Sequence, residues 1–260
     1  MIRELFFNQS SDSVCAFTTE RGAVDRFDPY SGFNCCDYTG DTSQHVAECR
    51  AELCHRLGIS DNDLLTARQV HSANVAVIDH GILQSDANDR RERLYGFDAL
   101  VTNIPGVAVG VFTADCVPML FADMRAGVVA AAHAGWKGTA YHIATATVDE
   151  MLHLGASVED IQVIFGPSIC QSCFEVGDEV VDMFERHGLP IGEIMERNHT
   201  TGKAHIDLVG ANTYLLLEKG IRALNICDPG LCTKCNHEKF FSARRLGINS
   251  GRQLNGVFIR

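Results

Sequence analysis

Three places in the chain combine a metal-binding residue type with the end of an apolar segment. His71 lies in a polar corner between two apolar runs. Cys116 follows the apolar segment 107–112 closely, and His133 ends the apolar segment 128–133. Two imidazoles and one thiolate are a common zinc ligand set, and three protein ligands leave the fourth tetrahedral position for water, as in catalytic sites. The residue types therefore indicate an open, catalytic metal site at His71, Cys116 and His133.

The same residues support other chemistries. Cys116 paired with His133 or His71 would make a thiolate–imidazolium nucleophile, as in a Cys-His hydrolase, but a zinc-bound thiolate is not free for that role. A non-catalytic metal-binding protein is another alternative. Copper oxidase centres use closely spaced histidine motifs of the HxH and HCH kind. No two of the 11 histidines are separated by a single residue, which argues against laccase-like copper oxidation.

Two further pairs of cysteines have the spacing of metal ligands. Two residues separate Cys170 from Cys173, and two separate Cys232 from Cys235. Together they would form a four-cysteine structural zinc site, but the pairs lie much farther apart in the chain than in a zinc ribbon. We therefore expect free thiols here and keep the shared zinc site as the alternative.

Composition limits the partners. The chain has 22 Lys and Arg against 33 Asp and Glu, a net charge of −11. It lacks the basic excess that binding to nucleic acid or to an anionic membrane requires. The N-terminal residues show no signal peptide and no segment is long and apolar enough to span a bilayer, so we expect a cytoplasmic protein. The 11 cysteines are an odd number in a large chain, which favours free thiols over disulfides. No obligate protein partner is evident.

The segments that must position these residues mix strands and helices without a regular βαβ alternation. We predict an α+β fold, a single domain over residues 1–260 with layered mixed β-sheets covered by helices. Periodicity and capping residues predict helices at 42–57, 139–154, 178–186 and 207–219. Alternation predicts strands at 13–19, 64–67, 75–78, 99–102, 107–112, 119–123, 128–133, 161–165, 203–206, 221–226 and 256–259, with Pro118 ending a strand ladder.

Several motifs resemble those of a known family. They are TxxQVHxxxV at 66–75, ADCxP at 114–118, HAGWKGT at 133–139, GPSICQSCFEVG at 166–177, DLxxxN at 207–212 and CTKCNHEKFFSARR…GR at 232–252. These runs resemble the YfiH/laccase-domain family of purine nucleoside phosphorylases, whose older label is polyphenol oxidase. The match extends over nearly the whole chain and keeps the seventeen-residue separation of Cys116 from His133. The resemblance implies a YfiH-like fold and zinc on His71, Cys116 and His133, with copper as the alternative metal.

The resemblance also implies an activity on purine nucleosides. The expected reactions are phosphorolysis of adenosine, inosine, guanosine or methylthioadenosine to the base and pentose 1-phosphate, and hydrolytic deamination of adenosine. Zinc-activated water suits deamination at the purine C6. Phosphorolysis instead needs phosphate as co-substrate and an anion pocket to hold it. The sequence does not rank the nucleosides.

Candidate residues for the remaining tasks are few. Arg68 and Lys137 are close in sequence to two of the predicted ligands, and we expect them to bind phosphate together with Arg245; Arg244 and Arg252 are further candidates. For proton transfer, Asp115 and Glu175 are the candidate carboxylates. Asp115 adjoins Cys116, so its alternative role is to fix the turn that carries the ligand.

Overall fold

Two large mixed β-sheets form the centre of the protein. The structure is a computed structural model that describes residues 1–9, 12–25 and 27–260. One sheet has five strands in the order β1-β2-β14-β6-β3, and the other has six in the order β13-β9-β7-β8-β5-β4. A small third sheet has the order β10-β12-β11. The strands are β1 (Ile2–Leu5), β2 (Val14–Thr19), β3 (Leu64–Thr66), β4 (Val75–Val77), β5 (Ala99–Thr102), β6 (Ala108–Thr113), β7 (Val117–Asp123), β8 (Val128–Ala134), β9 (Gln162–Phe165), β10 (Glu175–Val176), β11 (Met195–Arg197), β12 (Ala204–Ile206), β13 (Ile226–Cys227) and β14 (Gln253–Ile259).

Helices pack against the outer faces of both large sheets, α1 on the five-stranded sheet and α5 and α8 on the six-stranded one. The helices are α1 (Ser43–Leu57), α2 (His80–Gln84), α3 (Ala87–Arg93), α4 (Trp136–Ala140), α5 (Ile143–His153), α6 (Asp178–Arg186), α7 (Ile191–Ile194), α8 (Leu208–Glu218) and α9 (Ala243–Leu246). The longest, α1, begins after Thr42, whose side chain accepts the backbone N–H of His45, and ends at Gly58 in the left-handed conformation. Both ends match the prediction, because capping residues act locally. In the part of the chain that is described, no helix is long and apolar enough to cross a membrane.

Strand alternation explains the layers. On β7, Met119 and Phe121 face the cluster that contains α5 and α8, whereas Leu120 faces the cluster shared with the five-stranded sheet. Successive side chains of a strand point to opposite faces, so one fully apolar strand can serve two cores. A third cluster joins Phe17 of the five-stranded sheet to Leu53 of α1. The order of layers is therefore helix, sheet, sheet, helices, which confirms the predicted α+β class with layered mixed sheets.

The predicted helix at 139–154 is wrong in its bounds. The structure has α4 from Trp136 and α5 from Ile143, divided at His142, whose φ of 63° is left-handed. The ring Nε2 of His142 donates to the carbonyl oxygen of His187 at 3.0 Å. This long-range contact stabilises the break, and no local pattern predicts it.

Two strand predictions also need correction. Residues 221–226 contain a 3-10 turn at Ala223–Asn225, where the buried Asn225 amide donates to the carbonyl oxygens of Glu159 and Ile161. Only Ile226–Cys227 pairs with β9. Pro118 does not end a ladder: it is the second residue of β7, opposite His133. Proline is tolerated near the start of a strand, because its missing N–H removes few inter-strand hydrogen bonds there.

Candidate metal centre

A β-hairpin brings Cys116 and His133 together. Strands β7 and β8 pair antiparallel with Val117 opposite Ala134 and Pro118 opposite His133. Continuing this register places Cys116, which directly precedes β7, beside Gly135, which directly follows β8. The seventeen-residue separation of Cys116 from His133 is thus set by the hairpin length.

The neighbouring strand supplies a carboxylate to His133. Strand β5 pairs with β8 so that Ala99 lies opposite Ala132, which puts Asp98 level with His133. The carboxylate Oδ1 of Asp98 lies 2.8 Å from Nδ1 of His133, and both side chains are buried. Nδ1 therefore donates to Asp98, and this hydrogen bond leaves Nε2 free to bind a metal.

Asp98 also holds the loop that carries His71. Its Oδ1 accepts the backbone N–H of His71 at 2.9 Å. Its Oδ2 accepts the N–H groups of Val70 and Ser72 and the hydroxyl of Ser72, at 3.1, 2.7 and 2.8 Å. These bonds stabilise His71 at a φ of 63°, a conformation that costs a non-glycine residue energy and that is concentrated at functional sites.

The three side chains meet at distances that suit one metal ion. Nε2 of His71 lies 3.9 Å from Sγ of Cys116, and the candidate ligand atoms all lie within 4.8 Å of one another. Nitrogen and sulfur bound to tetrahedral zinc at about 2.1 and 2.3 Å would be about 3.6 Å apart. His133 is buried, Cys116 half-buried and His71 exposed, so the site opens to solvent on one side. The donor set and its spacing fit zinc with only small shifts.

Gly135 provides the space that this arrangement needs. A Cβ atom at residue 135 would lie 2.7 Å from Cδ2 of His71 and 3.1 Å from Sγ of Cys116. Both contacts are closer than side chains tolerate without moving. A side chain at this position would therefore displace His71 or Cys116.

Without a metal ion, Cys116 and His133 form a charged pair. Burial raises the pKa of the Cys116 thiol, but the charge and hydrogen bond of His133 outweigh it and lower that pKa to about 6. Burial lowers the pKa of His133, but Cys116 and Asp98 outweigh it and raise that pKa to about 9. The metal-free site is therefore a thiolate beside an imidazolium, which is the state that the Cys-His alternative needs and also the thiolate that zinc needs.

Asp115 fixes the turn before Cys116. Its φ of 92° is left-handed, and its side chain is buried. The carboxylate accepts the Thr233 hydroxyl and the backbone N–H of Arg244, each at 2.6 Å, while its own carbonyl oxygen accepts the N–H of Ile169 at 2.9 Å. Both carboxylate oxygens are engaged, which matches the alternative role predicted for Asp115.

Glu175 is an ion-pair partner. Its carboxylate lies 2.8 Å from Nζ of Lys203 and 3.8 Å from Nε2 of His205. The Lys203 hydrogen bond lowers the pKa of Glu175, so this carboxylate is ionised at neutral pH. At neutral pH the ionised Glu175 carboxylate can act as a proton acceptor but not as a proton donor.

The predicted phosphate residues lie on the surface. Arg68, Lys137 and Arg245 are exposed, and within the described residues no hydrogen bond or ion pair occupies their charged groups. The guanidinium of Arg68 lies over the rings of Tyr38 and Tyr95, and the ammonium of Lys137 lies over that of Trp136. All three charges are thus free to meet an anion.

The two further cationic candidates already have partners in the protein. Arg244 donates to the carbonyl oxygen of Glu175 at 2.9 Å. Arg252 donates to the carbonyl oxygens of Ile248, Ser250 and Gly251 at 2.6 to 2.9 Å. Their guanidinium groups therefore contribute to loop structure.

Asp98 is the residue that sequence reasoning missed. It directly precedes β5, whose four residues are all buried. A buried aspartate at the start of a wholly apolar strand needs a hydrogen-bonding role. That pattern, in a chain with two candidate histidine ligands, is the sequence feature that could have identified it.

Comparison with known proteins identifies the family. A family model described as multi-copper polyphenol oxidoreductase laccase matches residues 14–260. A protein named adenosine deaminase RL5, from an unknown prokaryotic organism, is 49% identical over 99% of this chain and 98% of its own length. A protein named purine nucleoside phosphorylase, from Bacteroides thetaiotaomicron, is 38% identical over 96% and 93%.

A solved structure extends the agreement to the fold. The crystal structure of the hypothetical protein YfiH from Bacillus licheniformis superimposes with a TM-score of 0.87 at 29% identity, covering 95% of this chain and 93% of that one. The sequence motifs, the layered fold and these matches coincide. The chain therefore belongs to the laccase-like YfiH family, described as multi-copper polyphenol oxidoreductase laccase.

Proposed function

We propose that the protein is a zinc-dependent purine nucleoside enzyme. Its reactions would be phosphorolysis of adenosine, inosine, guanosine or methylthioadenosine to base and pentose 1-phosphate, and hydrolytic deamination of adenosine. The observation that carries the proposal is the convergence of His71, Cys116 and His133 within 4.8 Å. It occurs in a chain 49% identical to a protein named adenosine deaminase.

Each residue of the site has a separate task in this proposal. Nε2 of His71, Sγ of Cys116 and Nε2 of His133 would hold zinc, which in an open site acts as a Lewis acid and lowers the pKa of water to about 7. Asp98 keeps His133 in the tautomer that exposes Nε2, and it holds the His71 loop against the hairpin. Gly135 leaves room for the ligands.

The phosphorolytic reaction requires cations as well as the metal site. A relative named purine nucleoside phosphorylase at 38% identity supports this reaction. Within the described residues the charged groups of Arg68, Lys137 and Arg245 form no hydrogen bond or ion pair, so they are the groups that we propose bind phosphate. Arginine is suited to this task because its planar fork matches two phosphate oxygens.

Copper oxidation is the second candidate, since the family description names copper and one cysteine with two histidines is also a type 1 copper set. Oxygen-reducing multicopper chemistry needs further copper ions on additional histidines. Within the described residues only two groups of three or more potential ligands occur, and neither contains more than two histidines. The described residues therefore lack the additional histidine ligands that multicopper chemistry needs, which favours zinc as the metal.

The test is product analysis with adenosine, with and without phosphate. Protein purified without added metal should convert adenosine to inosine in either buffer and should release adenine and ribose 1-phosphate only with phosphate. His71→Ala and Cys116→Ala should abolish both reactions. His80→Ala, an exposed histidine at the start of α2, and Cys227→Ala, a half-buried cysteine of β13, are matched controls that should retain activity.

The outcomes separate the candidates. If neither inosine, hypoxanthine nor adenine forms, the nucleoside proposal is wrong. If the products persist undiminished in Cys116→Ala, the metal site is not catalytic. Oxidation of a phenol, together with intense visible absorption after copper loading, would favour the copper alternative.

A further inference from the structure

The four cysteines of the two CxxC pairs meet in space. Sγ of Cys173 lies 3.5 Å from Sγ of Cys235, and the sulfurs of Cys170, Cys173, Cys232 and Cys235 all lie within 4.8 Å of one another. All four are free thiols. Four sulfurs bound to one tetrahedral zinc at about 2.3 Å would be about 3.8 Å apart. The four free thiols that the sequence predicts therefore lie together, at a spacing that suits the shared zinc site kept as the alternative.

A backbone pairing brings the two pairs together. Ser168 forms an isolated parallel bridge with Cys232. The N–H of Ser168 donates to the carbonyl oxygen of Leu231 at 3.0 Å, and that of Thr233 donates to the carbonyl oxygen of Ser168 at 2.9 Å. This two-bond contact places the beginnings of the two CxxC segments side by side.

Backbone hydrogen bonds hold the sulfur of Cys232 between the two pairs. The N–H groups of Cys170 and Cys235 each donate to Sγ of Cys232 at 3.4 Å. One of these donors comes from the same pair and the other from the opposite pair. The sulfur of the buried cysteine is therefore positioned by the backbone of both CxxC segments.

We propose that Cys170, Cys173, Cys232 and Cys235 bind a second zinc ion with a structural role. Four thiolates fill the tetrahedral shell and leave no open position, which distinguishes this site from the three-ligand centre. The site lies at the surface, with Cys235 exposed. Its two segments are held to the first site through Asp115, which accepts a hydrogen bond from Ile169 on one side and from Thr233 on the other. The second zinc therefore braces the turn that presents Cys116.

The test isolates this site by removing the other. Zinc is counted by mass spectrometry of the metal in protein carrying His71→Ala and Cys116→Ala, and one equivalent should remain. Adding Cys173→Ser and Cys235→Ser to that protein should remove it, whereas adding Cys227→Ser should not. In otherwise unchanged protein, Cys173→Ser with Cys235→Ser should reduce two equivalents to one. The His71→Ala, Cys116→Ala protein is expected to lack nucleoside activity, and that loss does not affect the zinc count.

A second measurement does not require the Cys173 and Cys235 variants to fold. X-ray absorption at the zinc edge of the His71→Ala, Cys116→Ala protein should show four sulfur neighbours at about 2.3 Å and no nitrogen. Absence of zinc, a shell containing nitrogen or oxygen, iron in place of zinc, or a disulfide between these cysteines by peptide mass would each overturn the proposal.

Discussion

Asp98 binds His133 and the His71 loop with the same carboxylate. Oδ1 accepts Nδ1–H of His133 at 2.8 Å and the backbone N–H of His71 at 2.9 Å, while Oδ2 accepts three further hydrogen bonds from residues 70 and 72. Burial raises the pKa of this carboxyl, but His133 and Ser72 outweigh it and hold that pKa below its ordinary value. Two of the three proposed metal ligands are therefore positioned by one buried, ionised aspartate.

Asp98→Asn should weaken metal binding strongly. Both oxygens of Asp98 accept hydrogen bonds, so an amide must direct its NH₂ group at existing donors. Loss of such a partner to a histidine ligand typically reduces metal affinity 10- to 100-fold. Competition with a chelator of known affinity measures the effect in protein that lacks the cysteine pairs. Asp89→Asn, on the exposed face of α3, is the control. Equal affinities in the two variants would show that Asp98 does not position the ligands.

Gly135→Ala should expel the metal from the His71–Cys116–His133 site. The new Cβ would lie 2.7 Å from the ring of His71 and 3.1 Å from the sulfur of Cys116, so the ligands must separate. Adenosine turnover and zinc content should fall together. Gly192→Ala is the matched control, because a Cβ at residue 192 meets nothing within 4 Å. Full zinc content in Gly135→Ala would contradict the assigned role of this glycine.

Removal of the metal should make Cys116 reactive near neutral pH. Its pKa of about 6 in the metal-free site lies below the ordinary value of 9.0, so the thiolate dominates at pH 7. Alkylation should slow about tenfold per pH unit below pH 6 and level off above it. Peptide mapping after iodoacetamide treatment measures this rate, with Cys227, whose pKa is raised by burial and Asp228, as the slow control. Reconstitution with zinc should protect Cys116; fast alkylation of the zinc protein would instead favour a free nucleophile.

Charge removal at Arg68, Lys137 or Arg245 should affect phosphorolysis selectively. A lost charge-assisted hydrogen bond costs about 1.5–3 kcal/mol, which raises the KM for phosphate about 10- to 100-fold. Deamination needs no phosphate, so its rate should change little. Arg125→Ala, a surface arginine paired with Asp160, serves as the control. An unchanged KM for phosphate in all three variants would rule out this assignment.

The candidate ligands could be selected from the sequence because their signature is local. Cys116 directly precedes one strand of a hairpin and His133 lies on the other, and the ends of α1 follow from Thr42 and Gly58. Asp98 was missed because its role depends on the pairing of β5 with β8. The sequence of neither strand indicates which strand it pairs with. The layered fold class could be predicted because strand alternation and helix periodicity are local as well.

Long-range contacts account for what the sequence did not predict. The bridge of Ser168 with Cys232 brings the two cysteine pairs together. The spacing of the cysteines in the sequence does not reveal this bridge. The break at His142 depends on the carbonyl of His187, and the turn at Asn225 depends on Glu159 and Ile161. In each case a polar side chain or backbone group forms a hydrogen bond with a distant segment. These tertiary hydrogen bonds override the local secondary-structure propensity.

The most direct test of the central claim is adenosine turnover as zinc is added back to chelator-stripped protein. Zinc bound to the His71–Cys116–His133 site should restore turnover in proportion to its occupancy, and the Cys116→Ala protein should stay inactive at every zinc concentration. If metal-free protein turns over adenosine as fast as the reconstituted protein, the account of a catalytic zinc site is contradicted.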